Sequence, residues 1–303
     1  MRIAVTGTKG QVVTSLAERG AAGGHEIVAI GRPALDLANP ASVARALEVS
    51  APDVIVSAAA YTAVDKAESE SNVAHAVNGA GAGAVAAAAK ALGVPVIHIS
   101  TDYVFDGTLE RPYVESDPTG PTGVYGASKL AGEKAVLAAY NNSAVLRVAW
   151  IYSPFGGNFV KTMLRIAGDR DEVSVVADQI GNPTNALAIA DGIIKVATNM
   201  VSDSYPGLRG IFHMTASGEA SWADFAEATF VASEARGGPS AFVRRIDTVD
   251  YPTAALRPAN SRLDCTRIAE VHGVTLPDWR LSLDHLMDRL LPAANTLSKG
   301  SEL

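Results

Sequence analysis

Tyr125-Gly126-Ala127-Ser128-Lys129 puts a phenol and an ammonium four residues apart, so on a helix beginning near Gly123 both project from one face. Upstream, Ser100-Thr101-Asp102-Tyr103-Val104-Phe105-Asp106-Gly107 follows an apolar run and places a hydroxyl where a buried strand ends. A hydroxyl, a phenol and an ammonium converging beside a hydride donor form a site for reducing a ketone. Such a reduction creates an alkoxide that must receive a proton while hydride arrives. A free phenol, with a pKa of about 10, exchanges protons sluggishly near neutrality. The Lys129 charge is expected to favour phenolate and lower that pKa, and its ammonium also reaches ribose hydroxyls of a nicotinamide cofactor. Thr101 is expected to hydrogen-bond the carbonyl oxygen and orient it. The plain alternative is a surface helix that happens to carry Tyr and Lys.

A second constellation argues against that alternative. Thr6-Gly7-Thr8-Lys9-Gly10-Gln11-Val12 follows the first apolar run and opens the first helical pattern. A turn of this kind lets backbone N–H groups, those of Gln11 and Val12 included, approach a pyrophosphate. Gly7-x-x-Gly10 alone also fits a bare tight turn; its place at the first crossover of a strand–helix series favours the cofactor. Where a carboxylate would hold the adenosine 2′-hydroxyl of NAD, the chain reads Ile30-Gly31-Arg32-Pro33. Arg32 suits a 2′-phosphate, so NADPH is expected ahead of NADH, with a solvated loop arginine as the other reading. Asp36 and Leu37, together with Ala58-Ala59-Ala60 and the adjoining Tyr61 and Thr62, are expected on the cofactor side.

These groups need elements to hold them. Arg2 to Thr6, Glu26 to Ile30, Asp53 to Ser57, Val94 to Ser100 and Ala144 to Ala149 read as strands separated by Ala-rich helical segments. Continuous runs such as Val54-Ile55-Val56 imply strands buried on both faces. The fold class is therefore α/β, a Rossmann-type doubly wound parallel sheet with a smaller α/β substrate-binding domain. A helix is expected after Gly156-Gly157-Asn158, a strand over Val173 to Ala177, and a helix through Val201 capped by Asn182-Pro183-Thr184. Further helices begin at Ser221 and Ser282. The expected division is a dinucleotide-binding domain over 1–152 to which 183–201 returns, a substrate-binding domain from 153–182 and 202–291, and a polar tail over 292–303.

Composition bounds the rest. The chain has 303 residues, 48% hydrophobic and 19% charged, with a formal net charge of −7, so it reads as globular and large enough to need no disulfide or metal staple. The acidic balance disfavours nucleic acid and anionic membranes as partners. Cys265 is the only cysteine, which excludes an intramolecular disulfide and a Cys-based zinc site. With Met1-Arg2-Ile3-Ala4-Val5-Thr6-Gly7 unlike a signal peptide, a cytoplasmic location is expected. The apolar stretch Val73 to Ile97 is interrupted by His75, Asn78 and Lys90 and reads as a buried helix followed by a strand, not a membrane span.

Together these residues resemble the extended short-chain dehydrogenase/reductase superfamily, and within it the branch that reduces dTDP-linked 4-keto sugars. The resemblance rests on Ala58 through Glu68, Ser100 through Gly107, Tyr125 through Glu133, Asp178-Gln179-Ile180-Gly181-Asn182-Pro183-Thr184 and Arg257-Pro258-Ala259-Asn260-Ser261-Arg262-Leu263. It implies that Tyr125 donates the proton, with Lys129 as its partner, and that the C4 ketone of dTDP-4-dehydro-β-L-rhamnose is the group reduced. It further implies that Thr101 and Asp102 contact the keto-sugar, with Tyr103, Val64 and Asn260 also on the substrate side. Trp150 either packs on the sugar or its nucleotide, or ends the fifth strand as a core residue. Arg257 pairs either with the substrate diphosphate or with an acidic neighbour. Three departures stand out: Val13 replaces a third glycine, Ser57 replaces an asparagine, and Ser15 and Leu187 stand where some members hold magnesium with glutamates. No magnesium site is expected, and the assembly is a monomer or homodimer. Two other readings remain, another nucleotide-sugar 4-ketoreductase and a non-catalytic regulatory subunit of methionine adenosyltransferase. An epimerase is disfavoured by Gly31-Arg32, and a serine hydrolase by the lack of a second glycine after Ser128.

Overall fold

The computed structural model describes residues 1–291, so the polar tail expected over 292–303 lies outside the described residues. The β-branched runs become β1 (Arg2–Thr6), β2 (Glu26–Ile30), β3 (Val54–Ser57), β4 (Val96–Thr101) and β5 (Ser143–Val148). Between them run α1 (Gln11–Ala22), α2 (Pro40–Ser50), α3 (Val64–Ala67), α4 (Ser71–His75), α5 (Ala82–Leu92) and α6 (Val124–Ala139), with a π-helical turn, Ala76–Gly81, joining α4 to α5. The chain continues through β6 (Ile151–Tyr152), α7 (Phe159–Ala167), β7 (Glu172–Val176), β8 (Ile180–Gly181), β9 (Thr184–Asn185) and α8 (Ala186–Ser202). It ends with β10 (Gly210–His213), β11 (Ala216–Ser217), β12 (Ala220–Ser221), α9 (Trp222–Glu234), β13 (Phe242–Ile246), α10 (Thr266–His272), β14 (Leu276–Asp278) and α11 (Trp279–Leu290).

Six strands make one parallel sheet in the order β10-β5-β4-β3-β1-β2. From β1 the chain turns outward to β2, then crosses back to β3 and builds the other way. A switch point therefore falls between β1 and β3, where loops leaving the carboxyl ends diverge and open a crevice. β3, β4 and β5 are buried along their length, as strands covered on both faces must be. On one face α1 and α8 pack with Ile3, Val5, Val54 and Val56; on the other α2, α5 and α6 pack with Ala4, Ile55, Val96 and Val145.

A second apolar core gathers α7, α9 and α11 around Phe225, Phe230 and Trp279. α9 starts at a capping box in which Ser221 Oγ accepts from Asp224 N at 3.0 Å and the Asp224 carboxylate accepts from Ser221 N at 2.8 Å. Two expectations shift. Asn182-Pro183-Thr184 does not cap the following helix: Thr184 and Asn185 first pair with β6, and Asn185 Oδ1 caps α8 by accepting from Leu187 N at 2.9 Å. Gly210–His213, within the stretch assigned to the smaller unit, is the sixth strand of the main sheet and runs parallel to β5. Among the described residues no helix is long and apolar enough to cross a membrane.

Candidate active site

The crevice is stitched at its floor by Thr6, the last residue of β1, whose Oγ1 accepts from Ala58 N at 3.0 Å and Ala59 N at 2.9 Å. Gly7 turns the chain with φ +98°, and a Cβ there would stand 3.4 Å from the Ala59 side chain. Gly10 caps α1 without any side-chain bond, and the first intrahelical bond there is Thr14 N to Gly10 O, 2.9 Å. The N–H groups of Gln11, Val12 and Val13 are thus left for an anion at the positive end of the helix. Glycines, alanines and free N–H groups at a switch point fit a dinucleotide diphosphate. Val12 and Val13 themselves are core residues, so Val12 offers its backbone alone.

Other cofactor-side expectations are redistributed. The Gln11 side chain turns away: its Oε1 accepts from Ser153 Oγ at 2.7 Å and Asn158 Nδ2 at 3.2 Å, tying α1 to the loop before α7. Leu37 is a core residue packed under the π-helical turn, where a Cβ on Gly81 would fall 2.7 Å from its own, so it presents no exposed side chain to an adenine. Arg32 is exposed just past β2, and Asp36 turns one carboxylate oxygen onto Ala38 N at 3.0 Å. Ala58, Ala59 and Ala60 are half-buried, and Thr62 is exposed. Tyr61 gives its hydroxyl to Glu70 at 2.8 Å, while its backbone N donates to Asn78 Oδ1 at 2.7 Å. Asn78 Nδ2 also donates to Ser128 Oγ at 2.9 Å, so one buried amide pins the alanine segment to α6.

α6 is cut to fit against the turn after β4. A Cβ on Gly126 would lie 2.1 Å from Tyr103 O, so only glycine lets that turn approach. This seats Tyr125 beside Tyr103, the rings edge-on with centroids 5.6 Å apart. Burial first, then the Asp102 charge, push the Tyr125 phenol up to about 12, with the Thr101 hydroxyl working against both. The expected lowering by Lys129 is therefore not what governs the phenol. Lys129 Nζ donates instead to Ile99 O on β4 at 2.6 Å, and burial brings the ammonium down to about 8 against the opposing Glu133 charge. Thr101 Oγ1 donates to Asp102 Oδ1 at 2.9 Å. Burial raises Asp102 to about 6, and among the described residues its buried Oδ2 has no hydrogen-bond partner. Tyr125, Lys129, Thr101, Asp102 and Tyr103 thus gather at the carboxyl end of β4 and the first turns of α6.

The remaining candidates divide. Val64 opens α3 and is half-buried. Its neighbour Asp65 receives both ends of the Arg257 guanidinium, at 3.1 and 2.7 Å, so Arg257 takes the acidic partner. Asn260 is engaged within the fold: its Nδ2 donates to Leu109 O and Arg111 O, and its Oδ1 accepts from Arg262 N and Nε. Trp150 sits in a left-handed conformation, φ +46°, and stacks on Trp222 with centroids 3.6 Å apart, which commits one indole face to packing. The residues that the spacing arguments missed are Asn78, Glu133, His98 and Arg147, all buried. For His98 and Arg147 the available signal was a single polar residue inside an apolar strand run. Among the described residues no three His, Cys, Asp or Glu side chains cluster as a metal site.

Switch point, glycine turn and Tyr–Lys helix together define a Rossmann-type protein of the short-chain dehydrogenase/reductase kind. More narrowly, the chain belongs to the family of dTDP-4-dehydrorhamnose reductases: the family model described as RmlD substrate binding domain matches residues 1–291. A dTDP-4-dehydrorhamnose reductase of Sinorhizobium fredii is 52% identical over 291 residues, covering 96% of this chain and 98% of the relative. One from Escherichia coli is 41% identical, covering 84% of this chain and 85% of its own. Among solved structures, a dTDP-4-dehydrorhamnose reductase from Clostridium acetobutylicum superimposes with a TM-score of 0.89 at 34% identity, covering 96% and 99% of the two chains. One from Bacillus anthracis, in complex with NADP, gives 0.88 at 33% identity, covering 95% and 99%.

Proposed function

We propose that the chain reduces the C4 ketone of dTDP-4-dehydro-β-L-rhamnose to dTDP-L-rhamnose, using NADPH ahead of NADH and Tyr125 as proton donor. The observation that carries this reading is the meeting of Tyr125, Lys129 and Thr101 at the carboxyl end of β4, in a chain 52% identical to a relative of that name. The bound NADP of the Bacillus anthracis structure and the exposed Arg32 beyond β2 support the cofactor. Bound in the crevice, a reduced dinucleotide would supply the hydride to C4. A phenol raised to about 12 enters fully protonated at neutral pH, and an alkoxide is a far stronger base than phenolate. Tyr125 therefore passes its O–H proton to the ketone oxygen as charge develops there, then recovers one from solvent. Thr101 orients that oxygen, and the Lys129 ammonium stabilises the transient phenolate and holds ribose hydroxyls.

The working division sets 1–152 and 183–201 as the dinucleotide-binding part and the second core as the substrate side, with β10 reassigned to the sheet. Neither nucleic acid nor membrane is a partner in this reading, the location is cytoplasmic and the assembly a monomer or homodimer. Ser15 and Leu187 offer no carboxylate, so chelator treatment is expected to leave the rate unchanged; a loss restored by magnesium would count against that point.

Purified protein is expected to oxidise NADPH when given dTDP-4-dehydro-L-rhamnose. Tyr125→Phe should lose a factor of about 100 to 10,000 in kcat while still binding NADPH. Undiminished turnover in that variant would sink the role given to Tyr125, and turnover of a different 4-keto nucleotide sugar alone would move the substrate.

A further inference from the structure

Beneath the site, outside the steps just described, lies a buried charge cluster. Glu133 stands one turn beyond Lys129 on the same face of α6. Its Oε1 accepts from Ser100 Oγ of β4 at 2.5 Å and from Arg147 Nε of β5 at 2.9 Å, while its Oε2 accepts from Arg147 Nη2 at 2.8 Å. Ser100 and Arg147 are registered partners on the adjacent strands, so one carboxylate ties the helix to both. Both side chains of the ion pair are only 2% exposed. Arg147 is itself enclosed, with its guanidinium over the Phe105 ring, 4.9 Å from the centroid, and its Nη1 3.4 Å from His213 Nε2. Burying two charges is a poor way to gain stability, because apolar side chains of similar size avoid the desolvation cost. The cluster needs a different reason, and its place on α6 supplies one.

We propose that Glu133, clamped by Arg147 and Ser100, is a positioning residue for Lys129: it fixes the rotation of α6 over β4 and keeps the Lys129 ammonium charged at the floor of the site. This rests on the reading that Tyr125 and Lys129 carry out ketone reduction. Lys129 is buried, and among the described residues its one hydrogen bond is to Ile99 O. The titratable groups on its own helix and on the elements packed against it are Tyr125 and Glu133 on α6, His98 on β4, Asp102 in the turn that follows, and Arg147 on β5, of which His98 and Glu133 couple to its charge. His98 brings no help: burial and the Lys129 charge hold its imidazole neutral, with Nδ1 against Ser57 Oγ at 3.1 Å and Nε2 unpartnered. Glu133 is the charge that opposes the desolvation of Lys129.

The pH dependence of kcat separates this from a merely structural role. Wild-type protein is measured first; if it oxidises no NADPH with the keto-sugar nucleotide, the ketone-reduction reading fails before this one is reached. Given activity, kcat is expected to fall as pH rises through about 8, where Lys129 loses its proton. In Glu133→Gln that limb should move toward acid, by on the order of one pH unit, since the negative charge one helical turn away that opposes the desolvation of Lys129 is removed. Arg147→Met, which leaves Glu133 unbalanced, should move it toward alkali. Structural damage alone would not move the limb in opposite directions. Where single variants fail to fold, the double variant Glu133→Leu/Arg147→Leu, which buries no charge, should fold and show a limb shifted toward acid, because Glu133 is the charge that opposes the desolvation of Lys129, but by less than in Glu133→Gln, because the Arg147 charge is removed with it. A limb unmoved in folded Glu133→Gln or in the double variant, or a double variant that does not fold, overturns the proposal.

Discussion

The residue that best exposes the conflict between stability and chemistry is Asp102. It is buried, its Oδ2 is unpartnered among the described residues, and its carboxyl is raised from 3.8 to about 6. An acid whose pKa is higher folded than unfolded gives stability that is present below 3.8 and lost as pH rises through 6. At pH 7.5 the fold therefore carries a penalty of up to about 3 kcal/mol for keeping this group ionised. Asp102→Asn should remove most of it, raising the urea midpoint at pH 7.5 with little change at pH 3.5, while weakening use of the keto-sugar. An Asn variant less stable than wild type at pH 7.5 would show that hydrogen bonds from Thr101 and the turn backbone outweigh the desolvation of the charge. The site was legible in the sequence to the extent that spacing carries chemistry. Tyr125, Lys129, Thr101 and Asp102 come together because helix and strand geometry place them there. The hydrogen bonds of Asn260 and the burial of Leu37 are not legible in the sequence, because spacing does not reveal which backbone groups or core surfaces a side chain will meet.

At the scale of elements, α6 is the part on which everything turns, and its glycines set its depth. A Cβ at Gly126 would meet Tyr103 O at 2.1 Å, and one at Gly132 would meet Asn78 O at 2.1 Å. Helix propensity alone predicts that either Gly→Ala change stabilises by about 1 kcal/mol. The close approach predicts the reverse: Gly126→Ala should push the helix off the turn carrying Asp102 and Tyr103. Displacement of about 1 Å at such a site costs on the order of 100-fold in kcat. Steady-state kinetics and thermal melting of the two variants decide the matter, and a Gly126→Ala protein with wild-type kcat would refute the packing argument. The inner strands β1, β3, β4 and β5 were readable because burial on both faces demands continuous apolar runs. β10 was not, because four residues pairing with β5 after a long excursion leave no local period. The two-residue pairs β6–β9 and β8–β12 are shorter than any alternation can register.

Across the whole molecule, the net charge of −7 says less about pH behaviour than three buried histidines on different elements. His98 is held well below its usual range, His213 falls to about 3 and His272 to about 4, each chiefly through burial. Each is buried, so little solvent screening applies. A base whose pKa is depressed by folding contributes stability that is present above its unfolded value, about 6.5, and lost as pH falls below it. At pH 5 His213 and His272, kept neutral, each forgo about 2 kcal/mol relative to the unfolded chain and His98 acts in the same direction, while Asp102 returns about 1. The net loss from His213, His272 and Asp102, about 3 kcal/mol, is a large part of the stability of many domains. Urea midpoints should therefore fall steeply between pH 7 and pH 5, before the carboxylates paired with arginine begin to protonate. A midpoint constant over that interval would mean that one or more of these imidazoles is solvated in the fold. The same arithmetic assigns the acid limb of activity: Tyr125 stays protonated throughout, so turnover lost below pH 6 should follow unfolding and Asp102 protonation. Rates measured at pH 5.5 immediately after dilution from pH 7.5 should exceed those after equilibration.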